Sequence, residues 1–113
     1  MKYMLLIYAN PSAAPQYSPE VQQAWNAVGE EMNAAGVRLS SAGLTPVSEA
    51  TTVRVRNGKA LVADGPFAET HEHLAGYFLL NCNDLDEAIS WAGKIPAALY
   101  GSIEVRPLNA AAQ

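Results

Sequence analysis

The run Tyr3-Met4-Leu5-Leu6-Ile7-Tyr8 has no polar alternation, so a strand formed here is apolar on both of its faces. Such a strand belongs in the middle of a sheet that is covered on each side. Only two later segments carry helical periodicity, and two helices can cover one face of a sheet. The other face of an open apolar sheet must then be buried against something else. A symmetric second copy is the simplest solution, so the sequence predicts a homodimer.

The remaining punctuation is read from cap and turn chemistry. Asn10-Pro11 ends the first strand. Ser18-Pro19-Glu20 supplies a helix cap, a proline for the first helical position and an acid where the helix dipole favours negative charge. Val21, Ala24, Trp25, Val28, Met32 and Ala35 then recur at helical spacing, and Gly36 provides a left-handed stop. Trp25 and Met32 read as core. Val37–Ser41 and Thr52–Arg56 are strand-like, and Asn57-Gly58 is a tight hairpin turn that sets Arg56 opposite Lys59 and Val53 opposite Val62. After a strand over Phe78–Cys82, Asp84 and Glu87 form an acidic capping box for a second helix through Leu85, Ala88, Ile89 and Ala92. Pro96 ends that helix, and Ser102–Pro107 makes the last strand. The order is that of a ferredoxin-like α+β plan with an inserted β-hairpin. Residues 1–108 read as a single domain and 109–113 as a flexible tail.

Composition narrows the function classes. With 7 basic against 11 acidic residues the formal charge is -4, which leaves no positive field for nucleic acid. The first apolar run is too short to span a membrane, so the expected location is the cytoplasm. The single cysteine, Cys82, lies in an apolar run and reads as a buried thiol. No glycine-rich phosphate loop, nucleophile elbow or paired cysteine motif is present, so no cofactor is expected.

The segment Asp64-Gly65-Pro66-Phe67-Ala68-Glu69-Thr70 sits between two apolar runs and combines an acid, a turn dipeptide and an aromatic. Gly65 admits positive φ, Pro66 fixes the next φ, and Phe67 is expected to anchor the loop in the core. The hairpin register puts Asp64 on the same face as Val53, Val55 and Val62. If those valines point inward, Asp64 stands at the rim of the core as a partly desolvated carboxylate.

The motif Asp64-Gly65-Pro66-Phe67, the opening Met1–Tyr8, Thr52-Val53-Arg54-Val55, Ala68-Glu69-Thr70 and the closing Glu104-Val105-Arg106-Pro107 resemble the YCII-related family, in the branch named for its Asp-Gly-Pro-Phe motif. The resemblance spans residues 1–108 and implies a dimeric α/β barrel in which two sheets close over each other. Other branches of the family carry a proposed histidine and aspartate pair, the histidine on the first helix and the acid near its end. This chain has no histidine between Pro19 and Gly36 and ends that helix Asn33-Ala34-Ala35-Gly36, so that pair is not carried over. The family's loop generally has a lysine where His71 stands.

The residues left for chemistry are Asp64 and His71 as catalytic candidates, with Asp64, Phe67, Glu69, Tyr77 and Arg38 as ligand-binding groups. Arg38 or Arg106 is suited to clamping an anion. His71 and His73, with Asp64 or Glu69, are a partial metal-ligand set, too few for a metal site to be expected. The structural alternative for Asp64 is a carboxylate bonded within its own turn. Trp91 lies off the main apolar row of its helix and reads as a cleft or partner contact. The sequence therefore predicts a small homodimer that binds a small organic molecule in a sheet-lined cavity. It acts either with cofactor-free acid/base chemistry of a lyase or isomerase kind or as a sensor. The alternative, which the resemblance implies, is a regulatory module that accompanies extracytoplasmic-function sigma factors and has a protein partner. The residues alone leave catalysis open.

Overall fold

A computed structural model describes residues 1–113. In chain order the elements are β1 (Lys2–Ala9), α1 (Pro19–Ala34), β2 (Arg38–Gly43), β3 (Thr51–Arg56), β4 (Lys59–Asp64), β5 (His73–Asn81), α2 (Leu85–Ala92) and β6 (Ser102–Pro107). The boundaries follow from local chemistry. Ser18 Oγ accepts from the Val21 N–H at 3.1 Å with Pro19 in the first turn, and Gly36 takes φ 72° after α1. Asp84 Oδ1 accepts from the Glu87 N–H at 2.9 Å to start α2, while the Glu87 carboxylate accepts from Asn83 Nδ2 at 2.9 Å.

Four strands form an antiparallel sheet in the order β2-β5-β1-β6, and β3-β4 form a separate two-stranded hairpin. This is the expected α+β ferredoxin-like arrangement with an inserted hairpin. On β1, Tyr3, Leu5 and Ile7 turn toward the helices, and on β5 the buried positions are Gly76, Phe78 and Leu80. They meet Val28 and Met32 of α1, and Ala88 and Ala92 of α2. The alternate residues Met4, Leu6, Tyr8, Tyr77 and Leu79 lie on the uncovered face and remain partly accessible. Thus β1 is covered on one side only within a single chain. No helix is long and apolar enough to cross a membrane.

The hairpin register is as expected, with Arg56 opposite Lys59 and Val53 opposite Val62, continuing to Thr51 opposite Asp64. Asn57 (φ 52°) and Gly58 (φ 75°) supply the paired left-handed residues of its turn. Its valines do not point into the core: Val62 is 66% exposed, and Val53 and Val55 are similarly open. Alternation fixes which side chains share a face but not whether that face meets a core, and β3-β4 bond to no strand of the main sheet.

Phe67 is likewise 77% exposed and does not anchor its loop. The loop is held through polar groups instead. The Gly65 N–H donates to the Ala50 carbonyl at 2.6 Å, Thr52 Oγ1 donates to the Gly65 carbonyl at 2.8 Å, and Arg54 Nη2 reaches the Phe67 carbonyl at 3.3 Å. The segment 109–113, expected to fray, turns back on β1, where the Gln113 side chain bonds the Lys2 backbone at 2.6 and 3.0 Å.

Two outcomes test this packing. Leu5 has no exposed surface, so Leu5→Ala should lower unfolding free energy by about 2–5 kcal/mol in urea melts. Gly101→Ala should cost at least about 2 kcal/mol, because a Cβ there would overlap the Tyr8 carbonyl oxygen. Losses under about 1 kcal/mol would contradict the arrangement of β1. Cys82 is 2% exposed, and burial together with the nearby Glu87 carboxylate pushes its thiol up to about 11. Iodoacetamide should therefore label it orders of magnitude more slowly in the native protein than in urea. Equal rates would contradict its burial.

Candidate functional site

The largest cleft lies between α1 and the helix-facing side of the sheet, with a volume of about 570 Å³. Its opening follows from small residues. Gly43 and Gly76 sit opposite each other on β2 and β5, and Ala75, Ala97 and Gly29 line the same space. A Cβ on Gly76 would come within 2.6 Å of the Ala42 carbonyl oxygen, so this pair of strands requires glycine there. Two irregularities shape the floor. The β2–β5 register slips between Arg38 and Ser40, and the β1–β5 register slips between Ile7 and Tyr8. The first slip sets Arg38, opposite Leu80, and Ser41, opposite Phe78, on the same helix-facing side, although they are three positions apart.

One wall is the polar stripe of α1. Gln22, Asn26 and Asn33 recur at helical spacing around Gly29, with Trp25 and Glu30 beside them. The other wall is the 3-10 turn after α2, which contributes Ala97 and Tyr100. Arg38 is the sole basic residue lining the cleft and Glu30 the sole acidic one. The Arg38 side chain reaches α1, where its Nη1 stands 3.1 Å from the place a Cβ on Gly29 would occupy. Arg38 donates no side-chain hydrogen bond, and the chain's one ion pair is Lys94–Glu31 at 3.8 Å, so its guanidinium has no partner within the chain.

The residues singled out from the sequence are divided among several places. Arg38 lies in the cleft. Tyr77 borders it, but strand alternation with buried Gly76 and Phe78 puts its ring on the opposite face, where its hydroxyl lies 3.3 Å from Ser40 Oγ. Phe67 lines a second groove of about 510 Å³ with Pro46, Val47, Thr52 and His73. Asp64, Glu69 and His71 are exposed and line neither. The Asp64 carboxylate accepts no hydrogen bond, so neither the core-rim position nor the turn-bonded alternative describes it. His73 Nε2 meets the Thr70 carbonyl at 3.1 Å, and Asp64, Glu69, His71 and His73 do not gather as a ligand set. Arg106 stands opposite Met4 on the uncovered sheet face.

Trp25, read as core, is half-buried and forms part of the cleft wall. Gln22, Asn26, Asn33 and Tyr100 were not singled out from the sequence. The signal was present as a row of carboxamides at helical spacing broken by Gly29, a polar stripe beside the apolar one. Trp91 packs against the core, with Lys94 Nζ 5.1 Å from its ring centre.

The fold and this arrangement can be compared with known proteins. The structure is similar to 5-chloro-2-hydroxyhydroquinone dehydrochlorinase from Burkholderia phenoliruptrix AC1100 in complex with 2,5-dihydroxybenzoquinone. The TM-score is 0.51 at 14% identity, over 96% of this chain and 94% of that one, a likeness of fold. An uncharacterized protein of Rhizobium meliloti (strain 1021) is 40% identical over 114 residues, covering 96% of this chain and 92% of its own length. The YCII-related domain matches residues 1–110, nearly the whole sequence, and the chain belongs to the YCII-related family.

Proposed function

We propose that the protein is a homodimer that binds a small organic molecule in the cleft beneath α1. The observation that carries this reading is the cleft itself: about 570 Å³, floored by a glycine pair and walled by Trp25, Tyr100 and a row of carboxamides. That volume falls within the range of small-ligand sites, and mixed aromatic and polar lining is their usual chemistry. The structural neighbour holds 2,5-dihydroxybenzoquinone, a small ring compound, which supports a ligand of similar size here. Were the ligand turned over, Glu30 and Tyr100 are the side chains on the walls able to carry a proton.

The dimer rests on the uncovered sheet face. Met4, Leu6, Tyr8, Tyr77 and Leu79 are partly accessible there, and the hairpin exposes Val53, Val55 and Val62. The chain is a slab 18 Å thick with a radius of gyration of 15.9 Å, against about 13 Å for a compact domain of this length. An isolated two-stranded hairpin is marginal in water, so its apolar side needs a partner.

Sedimentation at micromolar concentration should give twice the 12.0 kDa chain mass. A stable monomer would overturn the dimer. For the site, a calorimetric screen of small ring compounds, 2,5-dihydroxybenzoquinone among them, should find a ligand whose affinity falls at least tenfold in Asn26→Trp. The indole would occupy the cleft from the exposed side of α1. A ligand bound equally well by that variant would overturn the assignment.

A further inference from the structure

We infer that the molecule held in this cleft is a ring compound bearing a carboxylate, and that Arg38 is the group that recognises it. The inference rests on the cleft being the ligand site and specifies what that site takes. Arg38 presents five N–H donors in a fixed fork and no acceptor, and none of them is used within the chain. A planar guanidinium of this kind matches a carboxylate with two parallel hydrogen bonds.

Three features show that the sequence arranges this group. The register slip at Leu39 turns Arg38 to the helix side together with Ser41, whereas a regular strand would send two residues three apart to opposite faces. Gly29 leaves the space on α1 that the guanidinium enters, since a Cβ there would lie 3.1 Å from Nη1. Leu39, the residue the slip sets aside, is left 48% exposed, so the irregularity is not repaid by burying a leucine.

The other walls describe the rest of the ligand. Trp25 and Tyr100 provide aromatic surface for a flat ring, and Gln22, Asn26 and Asn33 provide uncharged donors and acceptors for its polar substituents. Glu30 also lines the cleft, but its carboxylate lies beyond ion-pair distance of Arg38 and leaves the fork free. It opposes a second negative charge, which limits the ligand to one acid group on the Arg38 side.

The test is a pair of titrations of the 15N-labelled protein, one with 4-hydroxybenzoate and one with its neutral analogue 4-hydroxybenzamide. The acid should shift Arg38 and the α1 residues Gln22–Asn33 and bind roughly 10- to 100-fold more tightly than the amide, as expected for charge-assisted hydrogen bonds. Arg38→Met should abolish that preference, and Arg38→Lys, which keeps the charge and loses the fork, should retain part of it. Gly29→Ala should weaken the acid more than the amide, while Glu30→Gln should strengthen the acid. Because Arg38 makes no bond within the chain, its substitution should leave the spectrum of the core intact. Equal binding of acid and amide in the cleft would overturn the carboxylate assignment and leave the cleft as a site for neutral rings. Absence of shifts in the cleft with either probe up to about 10 mM, weaker than any specific site of this size, would overturn both.

Discussion

Apolar burial between β1 and the two helices organises this chain. Tyr3, Leu5 and Ile7 on β1 and Phe78 and Leu80 on β5 face Val28, Met32, Ala88 and Ala92, and they account for most of the fully buried side chains. With four strands and two helices, one layer of contacts is all the chain can make by itself. The opposite sheet face and the hairpin are left with apolar groups and no cover, and the slab is correspondingly thin. One consequence of a two-layer fold is that any gap between α1 and the sheet opens directly to solvent. The other is that half of the sheet is available to a second copy.

The gap is made by omission of side chains. Gly43 and Gly76 pair across β2 and β5, Gly29 lines the cleft from α1, and Ala75 and Ala97 keep the edges low. At each of these points a larger residue would either clash, as at Gly76, or fill the cleft. Burial of leucines there would stabilise the fold by roughly 25 cal/mol per Å² of apolar surface, so an opening at this place forgoes stability. A chain with so small a core is expected to keep such an opening where it has a use. The β2–β5 register slip beside it, which brings Arg38 and Ser41 to one side, has the same character.

Much of the fold was legible in the sequence because it depends on neighbours in the chain. Ser18-Pro19, Gly36, Asn57-Gly58 and Asp84 act within a few residues of themselves, and each does what its chemistry dictates. The strand order follows from the sequence of elements and the handedness of their connections. The candidate site was less legible. The Asp64 loop has the composition of a rigid turn and is one, tied down by Thr52 and Arg54, but whether Phe67 and Asp64 reach a core depends on what lies under the hairpin. Nothing in residues 51–70 encodes that. The cleft depends on the facing of Gly43 and Gly76, a contact between segments more than thirty positions apart, and on a register slip that no local pattern announces. Arg38 could be picked out as a potential anion clamp, while the carboxamides of α1 drew no notice because solvent-facing helices carry the same residues.

The proposed ligand site is the cleft under α1, in place of the loop at 64–70. Intermolecular NOEs from the ring protons of a bound aromatic probe measure that most directly. Contacts to the Trp25 indole and to the methyl group of Ala97 are the predicted result. Contacts to Phe67 and Thr70 instead would contradict it.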